Sequence, residues 1–178
     1  MKITLEYLKE KQACSDGVVW FSSKFASNEA DYQEVLDALA KENRSEWAQW
    51  LMQHAGRTDA MLEVKGDLIV EHSIFFSGFI KATGKIAAKF IFSGSGIKAG
   101  WGIKAGSGIK AGEGIKAGEG IEAGSGIKAG WDIEAGSGIK AGSGIKAGWG
   151  IKAGSGIKAG SGIKAGWGIK AGSGIKAG

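Results

Sequence analysis

From Ile97 to Gly178 the chain repeats one hexapeptide, Ile-Lys-Ala-Gly-x-Gly, in which x is almost always Ser, Trp or Glu. Isoleucine returns at every sixth position from Ile97 through Ile175. A strict period of six fits neither the 3.6 of an α-helix nor the 2 of one long strand. It fits a coil that turns a corner every six residues. Within a unit Ile points in, Lys out and Ala in, the alternation of a short strand. The Gly-x-Gly that follows is the corner, where glycine permits positive φ and close backbone approach. Stacked coils place each strand in parallel register on the one before, so that backbone donors and acceptors find partners in neighbouring coils.

The tryptophans give the number of sides. Trp131, Trp149 and Trp167 are 18 residues apart, which is three hexads, so a three-sided coil puts them in one column. Trp101 falls on a different corner. A degenerate form of the same period begins further upstream. Leu62, Leu68, Ile74, Ile80, Ile86 and Phe92 keep the step of six, with Val64, Val70, Phe76, Ala82, Ala88 and Gly94 as the second inward series. The step from Phe92 to Ile97 is five, and an altered corner is expected there. Residues 62–178 then make about 6.5 coils, and at about 4.8 Å per layer a rod of roughly 30 Å.

Period and inward Ile resemble the hexapeptide-repeat parallel β-helices, the triangular solenoids best known in acyltransferases. That family places a small residue two before the aliphatic one. Here the small Ala comes two after, which leaves handedness open. The resemblance would imply acyl transfer, which in that family needs a catalytic histidine and excursion loops. The solenoid's one histidine is His72 and no long loop interrupts the repeat, so the activity is not carried over.

The first 58 residues read as helical. Thr4, Ser15, Asn28 and Ser45 are candidate N-caps, and Gly56 suits a helix C-terminus. Tyr32, Val35, Leu36 and Leu39 form an apolar stripe at helical spacing. So short a helical unit buries little by itself and is expected to pack on the first coils and cap the solenoid. The expected fold is thus α+β: a helical domain over 1–58, degenerate coils over 59–96 and a regular three-sided parallel β-solenoid over 97–178.

In the helical part, Leu-Lys-x-x-x-Ala-Cys (Leu8 to Cys14), Trp20-Phe21 and Trp-x-x-Trp-Leu (Trp47 to Leu51) are similar to a small module at the head of repeat proteins encoded by phages and prophages. The resemblance implies a phage accessory protein, a class that includes inhibitors of host defences such as anti-CRISPR proteins, acting in the cytoplasm of a bacterial host.

The side chains present exclude several chemistries. Cys14, His54 and His72 lack metal-ligand spacing, and are expected as a core thiol and surface imidazoles. Serines of the repeat sit at corners without a histidine base nearby. No helix follows the glycines to make a phosphate loop. No enzyme, cofactor or metal is therefore expected. A single cysteine allows no internal disulfide, residues 1–12 carry five charged side chains and do not read as a signal peptide, and no apolar run is long enough to span a membrane.

Charge is distributed unevenly. Residues 97–178 carry 12 Lys against five carboxylates, a net of +7, while residues 1–96 carry 11 Lys and Arg against 13 Asp and Glu, a net of −2; together these give the chain's +5. Three outward columns are expected, with Glu122 and Glu134 replacing Lys and forming salt-bridge rungs. Lys140, Lys146, Lys152, Lys158, Lys164 and Lys170 are candidate contacts for a polyanion. Trp101, Trp131, Trp149 and Trp167 are candidate interface residues. The function expected is a non-enzymatic interaction protein, a phage-encoded inhibitor that binds a bacterial defence complex through protein–protein contacts. The alternative is a nucleic-acid binder without sequence preference. A homodimer through the C-terminal coil or the Trp corner is also expected.

Overall fold

The structure, a computed structural model, describes residues 1–178. The N-terminal part contains β1 (Lys2–Thr4), α1 (Leu5–Glu10), α2 (Ser15–Lys24), β2 (Glu29–Asp31), α3 (Tyr32–Lys41) and α4 (Ser45–Ala55). Thr4 caps α1, its Oγ1 accepting the Tyr7 N–H at 3.1 Å. At α3 the cap is Asp31, which forms a capping box with Glu34. Asn28, the expected cap, instead adopts φ 52°. The segment after it is β2, antiparallel to β1, because Glu29–Asp31 finds strand partners in Lys2–Thr4 before the helical stripe begins at Tyr32. Ser15 and Ser45 are the first residues of α2 and α4; the cap positions belong to Cys14 and Arg44, with no side-chain cap bond. The chain leaves α1 and α3 through left-handed Gln12 and Asn43. There the N–H groups of Ala13 and Arg44 reach back to the carbonyls of Leu8 and Leu39, both at 2.9 Å.

Twenty strands follow. They are β3 (Met61–Val64), β4 (Leu68–Ile69), β5 (Ile74–Phe76), β6 (Phe79–Ala82), β7 (Ile86–Ala88), β8 (Ile91–Ser93) and β9 (Ile97–Ala99), then one every six residues to β20 (Ile163–Ala165), β21 (Gly168–Ala171) and β22 (Ile175–Ala177). Every third strand pairs in parallel, giving three sheets. Face I runs from β3 to β21, face II from β4 to β22 and face III from β5 to β20. Residues 18 apart face each other throughout the regular part, as in Ile103 with Ile121. Inward Ile and Ala side chains form one continuous core from Ile74 to Ala159.

The one-residue slip lies earlier than expected. Ile91, not Phe92, is the inward residue, fully buried and paired with Ile74 and Ile109. The shortened corner is therefore Lys89-Phe90, between β7 and β8. Ser93 occupies the Ala slot, and its hydroxyl donates to the carbonyls of Gly78 at 2.6 Å and Gly96 at 3.0 Å. Phe92 points outward, beside Phe75 in the column that carries Lys110 below. Both phenyl rings are buried against the helical domain. The helical domain thus covers the first coils from the side of face III. Gln33 in α3 fixes the contact, donating to the Phe75 carbonyl at 2.8 Å and accepting the Ser77 N–H at 3.2 Å. Part of α3 also overhangs the mouth of the first coil, where Leu62, Leu68 and Val70 line a cavity of about 210 Å³ with Gln33, Asp37 and Lys41.

The corner glycines are there for close approach, not for positive φ. Only Gly56 and Gly66 have positive φ. From Gly112 onward a Cβ on the first glycine of a corner would strike the carbonyl oxygen of the coil before, as Gly118 would at 2.0 Å from Gly100; Gly106, below the shortened corner, has 3.6 Å to the Lys89 oxygen. The second glycine of the corner is freer, which is why Asp132 can take that slot; its carboxylate accepts the Gly150 N–H at 2.8 Å.

Candidate functional site

Three surfaces carry the side chains of interest. The first is a groove in the helical domain, of about 430 Å³, between α1, α2, α3 and α4. Buried Leu8, Phe21, Val35, Leu39 and Leu51 make its floor. Trp20, Trp47 and Trp50 make its walls, and Gln12, Cys14 and Glu46 lie on its rim. Cys14 is exposed, contrary to the expected core thiol, because it sits at the N-cap of α2 at the edge of the groove. The walls are braced from behind. Trp20 Nε1 donates to Glu42 at 2.9 Å, and Lys24 and Arg44 bind the same carboxylate at 3.0 and 2.9 Å. Arg44 lies over the Trp47 ring at 4.3 Å, and His54 packs on Trp50 with centroids 4.3 Å apart. Arg44, then Lys24, hold the Glu42 carboxyl down at about 2. At the other end of α3 burial pushes the Tyr32 phenol up, and its hydroxyl donates to the Gly56 carbonyl at 3.0 Å. Sequence reasoning found these tryptophans as part of a motif but not the groove. The signal was their number in so short a helical segment, more than its core can enclose.

The second surface is the corner between faces III and I. Trp131, Trp149 and Trp167 stack there, with centroids 6.0 and 6.1 Å apart. Their backbones are hydrogen-bonded coil to coil, Trp149 N to Trp131 O at 3.1 Å and Trp167 N to Trp149 O at 2.8 Å. The corner residue one coil above Trp131 is Glu113, which pairs with Arg57. Trp101 lies on the corner between faces I and II, with the Lys85 ammonium 5.5 Å from its ring centroid. It is separate from the other three, as the spacing requires.

The third surface is the set of outward columns. Face I carries Lys98, Lys116, Glu134, Lys152 and Lys170; face II Lys104, Glu122, Lys140, Lys158 and Lys176; face III Lys110, Lys128, Lys146 and Lys164. The two glutamates act as rungs. Glu134 meets Lys116 at 2.7 Å and Lys152 at 3.7 Å, while Glu122 meets Lys140 at 3.5 Å and Lys104 at 4.0 Å. Lys116 foremost holds the Glu134 carboxyl below its usual range. Face III has no acidic rung. There burial, and then repulsion from Lys128, hold the Lys110 ammonium below the usual lysine range. Lys110 donates to Gln49 of α4 at 3.1 Å. The six lysines singled out as polyanion contacts lie two to a face, so the rod does not gather all six into one site; Lys140 and Lys158 on face II stand apart from the corner between faces III and I. No group of three His, Cys, Asp or Glu side chains has metal-binding geometry, and no helix is long and apolar enough to cross a membrane.

Comparison with known proteins bears on the helical part alone. No curated protein and no solved structure matches the chain significantly. Residues 1–58 match the family described as the YdhT N-terminal domain, so the segment that ends where the coils begin is similar to a recurrent module.

Proposed function

We propose that this is a non-enzymatic interaction protein whose helical domain grips apolar side chains of a protein partner in the Trp20–Trp47–Trp50 groove, while the solenoid serves as a rigid support. The observation that carries this reading is the groove itself. It has a floor of buried apolar side chains and walls of half-buried indoles. Tryptophan is among the residues enriched where a protein interface concentrates its binding energy. The match of residues 1–58 to a module family supports a role for this part that does not depend on the repeat. The narrower form, a phage-encoded inhibitor of a bacterial defence complex, rests on the resemblance of the head motifs alone.

The exposed thiol of Cys14 at the rim gives a test that leaves the core untouched. The chain has one cysteine, so a bulky maleimide attached there closes the groove selectively. Affinity capture from a bacterial lysate should recover a protein that the unlabelled chain retains and the labelled chain loses. A capture pattern unchanged by the label would refute the groove as the contact surface.

A second reading has its own support. Face III is a lysine column without carboxylates, the arrangement that a sequence-independent nucleic-acid backbone contact requires. Binding to DNA or RNA that falls steeply with salt would favour it; absence of binding at low salt would remove it.

A further inference from the structure

The Trp131–Trp149–Trp167 corner has a feature that neither reading uses. Its indoles are 50, 54 and 88 % exposed. They stack on one another within 22° of parallel, so their faces look along the rod and their edges look outward. Rows of lysine lie on both flanks: Lys128, Lys146 and Lys164 on face III, Lys152 and Lys170 on face I. The three carboxylates at the upper end of the corner are already engaged, Glu113 with Arg57. Asp132 accepts a backbone N–H, and Glu134 holds Lys116 and Lys152. The result is a straight ridge of indole edges with an uninterrupted row of ammonium groups on face III and, on face I, Lys170 beyond the Glu134-paired Lys152, held rigid by coil-to-coil hydrogen bonds.

We propose that this ridge is a peripheral contact for an anionic lipid bilayer, with the rod lying along the surface. Indole settles at the headgroup level, where its apolar body is buried and its edge stays wet. Lysines beside it lay their stems along the interface and reach the lipid phosphates. Both requirements are linear here, and the ridge and its flanks run parallel to the rod axis. Two other occupants fit less well. Nucleobases stack on ring faces, and neighbouring indoles already occupy those faces except at the two ends of the stack, above Trp131, where Glu113 is the next corner residue, and beyond Trp167. A second copy meeting the same corner about a two-fold axis would bring each row of lysines against other lysines.

The test is sedimentation of the full chain with vesicles of phosphatidylcholine mixed with phosphatidylglycerol, and with phosphatidylcholine alone. Expected is partition onto the anionic vesicles only, weakening as salt rises, with a blue shift in tryptophan emission. The Trp149→Ser/Trp167→Ser variant keeps the residue found at other corners of the repeat, and should retain its circular dichroism while losing both partition and blue shift. Lys146→Gln/Lys164→Gln should lower partition roughly 25-fold, about fivefold per lysine. Lys140→Gln/Lys158→Gln on face II should change it less than about twofold. Failure to partition onto anionic vesicles at low salt overturns the proposal. So does equal loss in the two lysine pairs, which would mean attraction to net charge without a ridge. A chain that stays off vesicles and forms a dimer abolished by the Trp substitutions would assign the corner to a second copy instead.

Discussion

A Cβ built on Gly118 would lie 2.0 Å from the carbonyl oxygen of Gly100, one coil above it. Two residues on, a Cβ on Gly120 would meet its nearest neighbour, the Gly138 carbonyl oxygen, at 3.4 Å, an ordinary contact. The two glycines of one corner therefore do different work. Gly118→Ala should force the coils apart and destabilise the rod by about 3 kcal/mol. Gly120→Ala should be neutral or stabilising by up to about 1 kcal/mol, because it restricts the unfolded chain. Denaturant unfolding followed by far-UV circular dichroism separates the two. Equal loss at both sites would refute the close-approach account of the corner.

Inward and outward slots are separated by one residue, and Ile139 and Lys140 test them. Ile139 is buried, while Lys140 is mostly exposed and pairs with Glu122 at 3.5 Å. Ile139→Asp should cost several kcal/mol, roughly 4 or more, since a carboxylate in this tube has neither water nor a partner. Lys140→Ser should stay within about 0.5 kcal/mol of the parent. Thermal melts of the two variants are the check, and similar midpoints would contradict the burial pattern.

The rod was legible in the sequence because its core is written in one residue type at one period. The 18-residue recurrence of Trp131, Trp149 and Trp167 implies three sides, and the lysine columns follow from the same register. What failed is equally physical. Ile91 and Phe92 are both apolar and adjacent, so continuing the step of six from Ile86 selects Phe92, and only the helical domain above it explains an outward phenyl ring. The strand pair β1–β2 was missed because three residues carry too little pattern to be told from a helix approach. The groove between Trp20, Trp47 and Trp50 depends on how four helices meet, which no local period encodes.

The Glu42 carboxylate ties Trp20, Lys24 and Arg44 together, and its folded-state value of about 2 lies below the ordinary 4.5. A depressed carboxyl adds stability that is complete above about 4.5 and is lost as pH falls towards 2. Asp31 contributes in the same direction, through the Gln33 N–H that it accepts. The helical domain should therefore loosen between those limits, seen as a change in tryptophan emission as Trp20 is freed. Glu42→Gln should lower stability by about 1 kcal/mol at neutral pH and flatten the acid response. An unchanged acid profile in that variant would show that Glu42 is not the group responsible.

Phe75 decides whether the helical domain and the rod act as one body. It occupies the outward slot of β5, is 1 % exposed, and sets its ring edge-on to Phe90 at 6.1 Å. Lower in the same column the slot belongs to lysine, as at Lys110, so the rod itself has no need of an apolar residue there. Phe75→Ser should cost about 3 kcal/mol or more, and nearly all of it at the contact with the helices. Amide exchange should then quicken in α3 and at the linker after Arg57, with trypsin cutting after Arg57, while the strands from Ile97 onward keep their protection. If the coils instead lose protection together with the helices, the two parts fold as a single cooperative unit and the lateral contact is part of the solenoid's own stability.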